Sequence, residues 1–73
     1  MSGLSIYYSV LNVLKRMGGK AMWQNLLDEL QRTGVEVSKS GLNQALLKLE
    51  IHGRVRVTNL DEIRKIVELV GED

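Results

Sequence analysis

The sequence predicts an α+β domain, a three-helix bundle followed by a C-terminal β-hairpin. Three segments place apolar residues three and four positions apart, which is the spacing of an amphipathic helix. Glycines follow these segments at positions 18–19, 34 and 53, where helices commonly end. Beyond Gly53 the apolar residues alternate with charged ones, which is strand spacing. The 73 residues contain no linker-like stretch, so we expect one domain over 1–73, ordered over about 4–70.

The first helix is predicted over about residues 4–17. Its broad apolar face predicts a buried helix, and the residues on that face are Ile6, Tyr7, Val10, Leu11, Val13, Leu14 and Met17. Tyr7 is therefore expected in the core. Tyr8 lies off this face, and two interpretations are open for it: a contact in a dimer, together with the apolar N-terminus, or an ordinary surface tyrosine.

The second helix is predicted over about residues 22–33. One face is apolar and the other is polar, and the apolar residues are Trp23, Leu26, Leu27 and Leu30. Gly34 is placed to end this helix. The residues 20–22 just before it could form a very short strand.

The third helix is predicted from Ser38 to about His52. The Ser38 hydroxyl can accept a hydrogen bond from a free N–H group of the first turn, so Ser38 is a suitable N-cap. The buried row is expected to consist of Leu42, Ala45, Leu46 and Leu49. The opposite side then presents Ser40, Gln44, Leu47, Lys48 and Ile51, flanked by Lys39 and Asn43.

A β-hairpin is predicted for the last segment. Residues 54–58, RVRVT, alternate charged and apolar side chains, and residues 59–62, NLDE, include turn-forming Asn and Asp. Residues 63–70, IRKIVELV, are rich in β-branched side chains. A helix over 61–70 is the alternative, because the apolar residues there also fit helical spacing and Asp61 could cap it.

The composition argues against catalysis and against metal or cofactor binding. The chain has no cysteine and one histidine, so thiolate sites, thiol nucleophiles and imidazole clusters are excluded within it. Asp28 and Glu29 are adjacent on a helix, so their side chains diverge by about 100° and cannot share a substrate. We therefore expect that this protein is not an enzyme. No apolar run approaches the roughly 20 residues that span a bilayer, and we expect a cytoplasmic protein without a membrane partner.

The order of elements resembles the winged helix-turn-helix superfamily. The resemblance covers about residues 5–70 and is carried by the apolar rows of the second and third helices, followed by EIHGRVRV at 50–57. Such domains most often bind DNA, and others serve as protein-interaction modules. The resemblance implies a small DNA-binding protein, a transcriptional regulator, whose third helix lies in the major groove of double-stranded DNA. It also supports a homodimer.

The residues on the third helix are of the right types for reading DNA. Asn43 and Gln44 can pair with adenine, and Ser40 can contact several bases. Lys39 and Lys48 could reach phosphates on either side. Residues 39–65 carry six basic and three acidic groups. Within the hairpin, Arg54, Arg56 and Arg64 could contact the phosphate backbone from a tip carrying Thr58 and Asn59.

A protein-interaction module without DNA binding is the alternative function. Leu47 and Ile51 form an apolar ridge one helical turn apart on the outer side of the third helix. We expect this ridge to be partly buried against the second helix or the hairpin. If it is open, it could hold a protein partner, with Tyr8 as a further contact.

Overall fold

The computed structural model describes residues 6–70 and contains three helices and a three-stranded antiparallel sheet. The order along the chain is α1 (Ile6–Arg16), β1 (Lys20–Met22), α2 (Trp23–Arg32), α3 (Lys39–Ile51), β2 (Val55–Asn59) and β3 (Lys65–Leu69). The three helices, the short strand before α2 and the hairpin are confirmed. The predicted first residues of α1, at 4 and 5, lie outside the described range. No helix within that range is long and apolar enough to cross a membrane.

Each helix ends in the same glycine motif. The N–H of the first residue beyond each glycine donates to a carbonyl five positions back, as Gly19 does to Leu14, Val35 to Leu30 and Arg54 to Leu49. This Schellman arrangement satisfies the last helical carbonyls and needs a positive φ at the glycine. At Gly53 φ is +74°, and the chain turns there from α3 into the hairpin.

The helix proposed as an alternative for residues 61–70 is wrong, because this segment supplies the central strand of the sheet. The strand order is β1-β3-β2, so β3 pairs on both edges. Val67 lies opposite Ala21 on one side and Val57 on the other. Pairing with two strands satisfies the backbone groups of β3, and Val67 is fully buried. These gains outweigh the local helical spacing.

The core lies between α1 and the inner face of the sheet. Its fully buried members include Val10 and Leu14 of α1, with Leu26 and Leu30 of α2 packed beside them. From α3 the core receives Leu42, Ala45, Leu46 and Leu49, all predicted to be inside. Tyr7 was expected there and is 37% exposed. It lies at the rim of an open groove between α1 and α3, where the two helices leave space beside it.

Candidate nucleic-acid interface

Helix α3 is held in a defined rotation about its axis. Ser38 caps its first turn, its side chain accepting from the Gly41 N–H at 3.0 Å. Gln31 of α2 donates to the Val37 carbonyl at 3.0 Å and so fixes the segment that leads into the helix. The buried row packs on α1 and β2. Because one side is fixed in the core, the opposite side faces outward.

The outward side of α3 carries a straight line of four side chains. Ser40, Gln44, Leu47 and Ile51 are three and four residues apart, so they follow one another along the helix. Asn43 and Lys48 flank this line on its two sides. All six side chains are exposed. We call the set Ser40, Asn43, Gln44, Leu47 and Ile51 the outer strip of α3.

The expected partial burial of Leu47 and Ile51 is wrong. Leu47 is 58% exposed and Ile51 is 73% exposed. The reason is their position on the helix: at about 100° per residue they point almost directly away from the centre of the buried row. Neither α2 nor the hairpin reaches around the helix to cover them.

Four exposed basic side chains lie on α3 and in the segment that follows it in the chain. Lys39 and Lys48 stand on α3, and Arg54 and Arg56 stand at the start of the hairpin; all four are exposed. None of them forms an ion pair with another residue of the 6–70 range, where the two ion pairs are Arg32–Glu29 and Arg64–Asp61. Arg56 faces Glu68 in the register of the sheet, and Glu68 also faces Lys20. Lys39, Lys48 and Arg54 thus have no acid paired with them, whereas Arg56 lies opposite an acid in the sheet.

Arg64 differs from the other predicted phosphate contacts, because it is bound by an acid. Asp61 accepts hydrogen bonds from the N–H of Arg64 at 2.7 Å and of Ile63 at 2.9 Å, and from the Arg64 guanidinium at 2.9 Å. The Arg64 N–H, then the Ile63 N–H and the guanidinium, lower the pKa of Asp61. Arg64 is thus neutralised at the hairpin tip.

The hairpin tip also has a different composition from the expected one. Thr58 and Asn59 lie within β2, and residues 60–64 form the turn. The turn exposes Leu60 and Ile63, the latter at 88%. The sequence pattern did not predict either exposure, because the helical alternative gave Ile63 a place in an apolar stripe and Leu60 was considered only as part of the turn. The Asx-type contact of Asp61 with the N–H two residues ahead was the available signal.

A groove of about 320 Å³ lies between the start of α1 and the first half of α3. Its lining includes Ile6, Tyr7, Val37 and Gln44. Tyr8 is exposed on α1, and its role in a dimer stays a prediction. In the described part of the chain, no three His, Asp or Glu side chains come together as metal ligands.

Five of the eight predicted nucleic-acid residues lie exposed on α3, namely Lys39, Ser40, Asn43, Gln44 and Lys48. Arg54 follows α3 in the chain, and Arg56 lies in β2 on the strand face opposite to the core residues Val55 and Val57. Comparison with known proteins adds no assignment: no family model, no curated protein and no solved structure matches the chain. The function is therefore argued from the exposed residues themselves.

Proposed function

We propose that the protein binds double-stranded DNA and acts as a small transcriptional regulator of the winged helix-turn-helix type. In this proposal α3 enters the major groove, and the basic residues beside it contact phosphates. The observation that carries the proposal is the outer face of α3, where amide side chains lie between two lysines, Lys39 and Lys48, that form no ion pair within residues 6–70. The three helices and the hairpin are compatible with a winged-helix layout.

The dimensions of α3 suit the groove. A helix with its side chains is about 10–12 Å across, and the major groove of B-DNA is about 12 Å wide. Ser40, Asn43 and Gln44 occupy the N-terminal half of the 13-residue helix. Recognition helices contact bases largely from that half, so the amides are at the correct end.

The charge arrangement gives a quantitative expectation. Lys39, Lys48, Arg54 and Arg56 supply four cations, whereas Arg64 is occupied by Asp61. Each neutralised phosphate contributes about −0.9 to the slope of log affinity against log salt concentration. Four contacts predict a slope of about −3.6 per subunit. The slope is a better test than affinity alone, since it counts phosphate contacts.

The experiment is a fluorescence-anisotropy titration of a labelled random-sequence duplex at several salt concentrations. We expect binding at low salt that weakens with the slope given above. The variant Arg54→Ala/Arg56→Ala should lower the affinity and reduce the slope by about two. Lys15→Ala/Arg16→Ala is the matched control: it removes the same charge from the end of α1, next to β1 on the other edge of the sheet.

Two results would contradict the proposed DNA binding. One is an absence of duplex binding at low salt, and the other is binding that does not change with salt. An equal loss of affinity in the two double variants would contradict the assignment of the DNA-binding surface, because it would show that only the total charge matters.

A protein-interaction module is the second candidate function, and the exposed ridge of Leu47 and Ile51 favours it. Sedimentation velocity of wild type and Leu47→Ser/Ile51→Ser distinguishes the two functions. A dimer that the double substitution converts to monomers would place a second chain on the ridge. A sedimentation coefficient that is the same in both proteins leaves the ridge free for DNA.

A further inference from the structure

The outer strip of α3 contains only some of the chemical groups that read base pairs. It has two amides, Asn43 and Gln44, one hydroxyl, Ser40, and two apolar side chains, Leu47 and Ile51. We propose that it recognises an A·T-rich site, the amides bonding to adenine and the apolar pair contacting thymine methyl groups. This inference rests on the proposed DNA binding and specifies the class of sequence that is bound.

The amides are suited to adenine in particular. In the major groove adenine presents an acceptor, N7, beside a donor, the N6 amino group. A carboxamide offers a donor beside an acceptor, so Asn or Gln can bond to both at once. Guanine presents two adjacent acceptors, N7 and O6, which one amide cannot satisfy in the same way.

The groups that read G·C pairs are absent from the outer strip. Guanine is most often read by Arg or Lys, and cytosine donates to Asp or Glu. Lys48 stands about 70° from the mean direction of Ser40, Gln44, Leu47 and Ile51, Asn43 stands about 70° from it on the other side, and Glu50 about 90° on that side. Glu50 therefore points toward one edge of the groove, and the long side chain of Lys48 can reach the phosphates at the other edge.

Leu47 and Ile51 are the apolar part of the outer strip. Their exposure leaves apolar surface in water, and burial of such surface is favourable. The thymine methyl is the apolar group that the major groove offers, and no other base carries one. From Ser40 to Ile51 the strip is about 16 Å long, or about five base pairs at 3.4 Å each. The amides and the apolar pair can thus contact neighbouring A·T pairs.

The test compares three duplexes of equal length and equal ends, at one salt concentration. Their central segments are A·T-rich, the same sequence with uracil in place of thymine, and G·C-rich. Uracil lacks only the methyl group. Burial of one methyl corresponds to about fourfold in affinity, so two contacts predict a loss of about 15-fold on uracil substitution. The G·C duplex is expected to bind more weakly still, because the amides lose adenine.

The variant Leu47→Ala/Ile51→Ala should bind the thymine and uracil duplexes equally. Both side chains are exposed, so the variant should keep the helical circular dichroism of the wild type. Leu60→Ala/Ile63→Ala is the matched control, because it removes a second exposed apolar pair that lies at the hairpin tip. It should retain the wild-type preference for thymine over uracil.

The outcomes separate this inference from the proposed function. Salt-dependent binding that is equal for all three duplexes would overturn the A·T assignment and leave DNA binding intact. Absence of binding to every duplex would overturn the proposed function itself. If Leu47→Ala/Ile51→Ala abolishes self-association and leaves the thymine preference unchanged, the ridge contacts a second chain, and the methyl contact is wrong.

Discussion

Gly53 lies between the helix that carries the amides and the segment that carries Arg54 and Arg56. Its φ of +74° belongs to the left-handed region, which residues with a Cβ adopt at a cost of about 1–2 kcal/mol. No atom beyond its chain neighbours lies within 4 Å of the position that a Cβ would take. A substitution here therefore tests the backbone conformation without a steric clash.

We expect Gly53→Ala to lower the free energy of unfolding by about 1–2 kcal/mol. The reason is the conformational cost of the positive φ, since the space around the residue is open. Urea denaturation followed by the fluorescence of Trp23, the only tryptophan, measures the change. A midpoint equal to that of the wild type would show that the turn is made without a left-handed residue.

Asp61 determines whether Arg64 is available to a phosphate. Asn at this position keeps an oxygen that can accept from the N–H groups of Ile63 and Arg64, but it lacks the charge that holds the guanidinium. If the hairpin lies along DNA, Asp61→Asn should increase duplex affinity and steepen the salt slope by about one. Asp28→Asn is the control for the loss of one negative charge, because Asp28 lies on the exposed face of α2. Equal effects of the two variants would contradict a specific role for the tip.

At the scale of elements, α3 shows how far the sequence can predict the site. The Ser38 cap and the row of Leu42, Ala45, Leu46 and Leu49 follow from periodicity and capping, and the structure confirms them. That Leu47 and Ile51 are open could not be predicted in the same way. Periodicity identifies the most apolar side of a helix, and it does not reveal whether another element covers the opposite side.

The hairpin shows a second limit of prediction from local sequence spacing. Residues 63–70 fit both a helical stripe and a β-branched strand, so local preference alone left two interpretations. The decision depends on β1, which is distant in the chain and supplies a second pairing edge. Such long-range pairing is the part of a fold that short-range spacing does not contain. The ion pair of Arg64 was missed for a related reason, because the turn that creates it forms only in the hairpin.

The two faces of β3 predict unequal effects of substitution. Val67 points into the core and is fully buried, whereas its neighbour Ile66 points to the outer face and is partly exposed. Val67→Ala should lower the free energy of unfolding by about 2 kcal/mol, from lost burial and a cavity. Ile66→Ala removes more atoms and should cost less. Urea denaturation of both variants measures this, and a larger loss for Ile66→Ala would contradict the assigned faces.

The acid response of the hairpin tip follows from the lowered pKa of Asp61. A carboxyl with a lower pKa in the folded state stabilises that state when it is ionised. Its contribution is present above the unfolded value of about 3.9 and is lost as the pH falls through the lower folded pKa. We expect the amide shifts of Ile63 and Arg64 to stay constant from pH 8 to 5 and to change only in stronger acid. NMR titration measures them, and a transition near neutral pH would contradict the assignment.

At the scale of the whole molecule, a net charge of +1 hides an uneven distribution. Residues 39–65 carry six basic and three acidic groups, and a ligand that binds this part of the folded chain stabilises the fold. A duplex at a concentration 100 times its Kd should add about 2.7 kcal/mol. For a domain of this size, 1 kcal/mol shifts the melting temperature by about 4–8 °C.

We therefore expect saturating A·T-rich duplex to raise the melting temperature by at least 10 °C at low salt. Circular dichroism at 222 nm reports the helices during heating. The rise should shrink as salt is added, because the affinity falls. Arg54→Ala/Arg56→Ala should show a smaller rise at the same duplex concentration. A melting temperature that is independent of duplex would contradict binding to the folded state.

The place of β1 in the sheet has a consequence for which double helix can be bound. One edge of β3 pairs with residues 20–22, which lead directly into α2. This pairing restricts movement of the hairpin relative to the helices. The backbone of the hairpin therefore keeps its position relative to the helices. A-form RNA has a deep, narrow major groove that side chains cannot read, so if α3 reads the major groove as proposed, we expect an RNA duplex of the same sequence to bind more weakly than the DNA duplex.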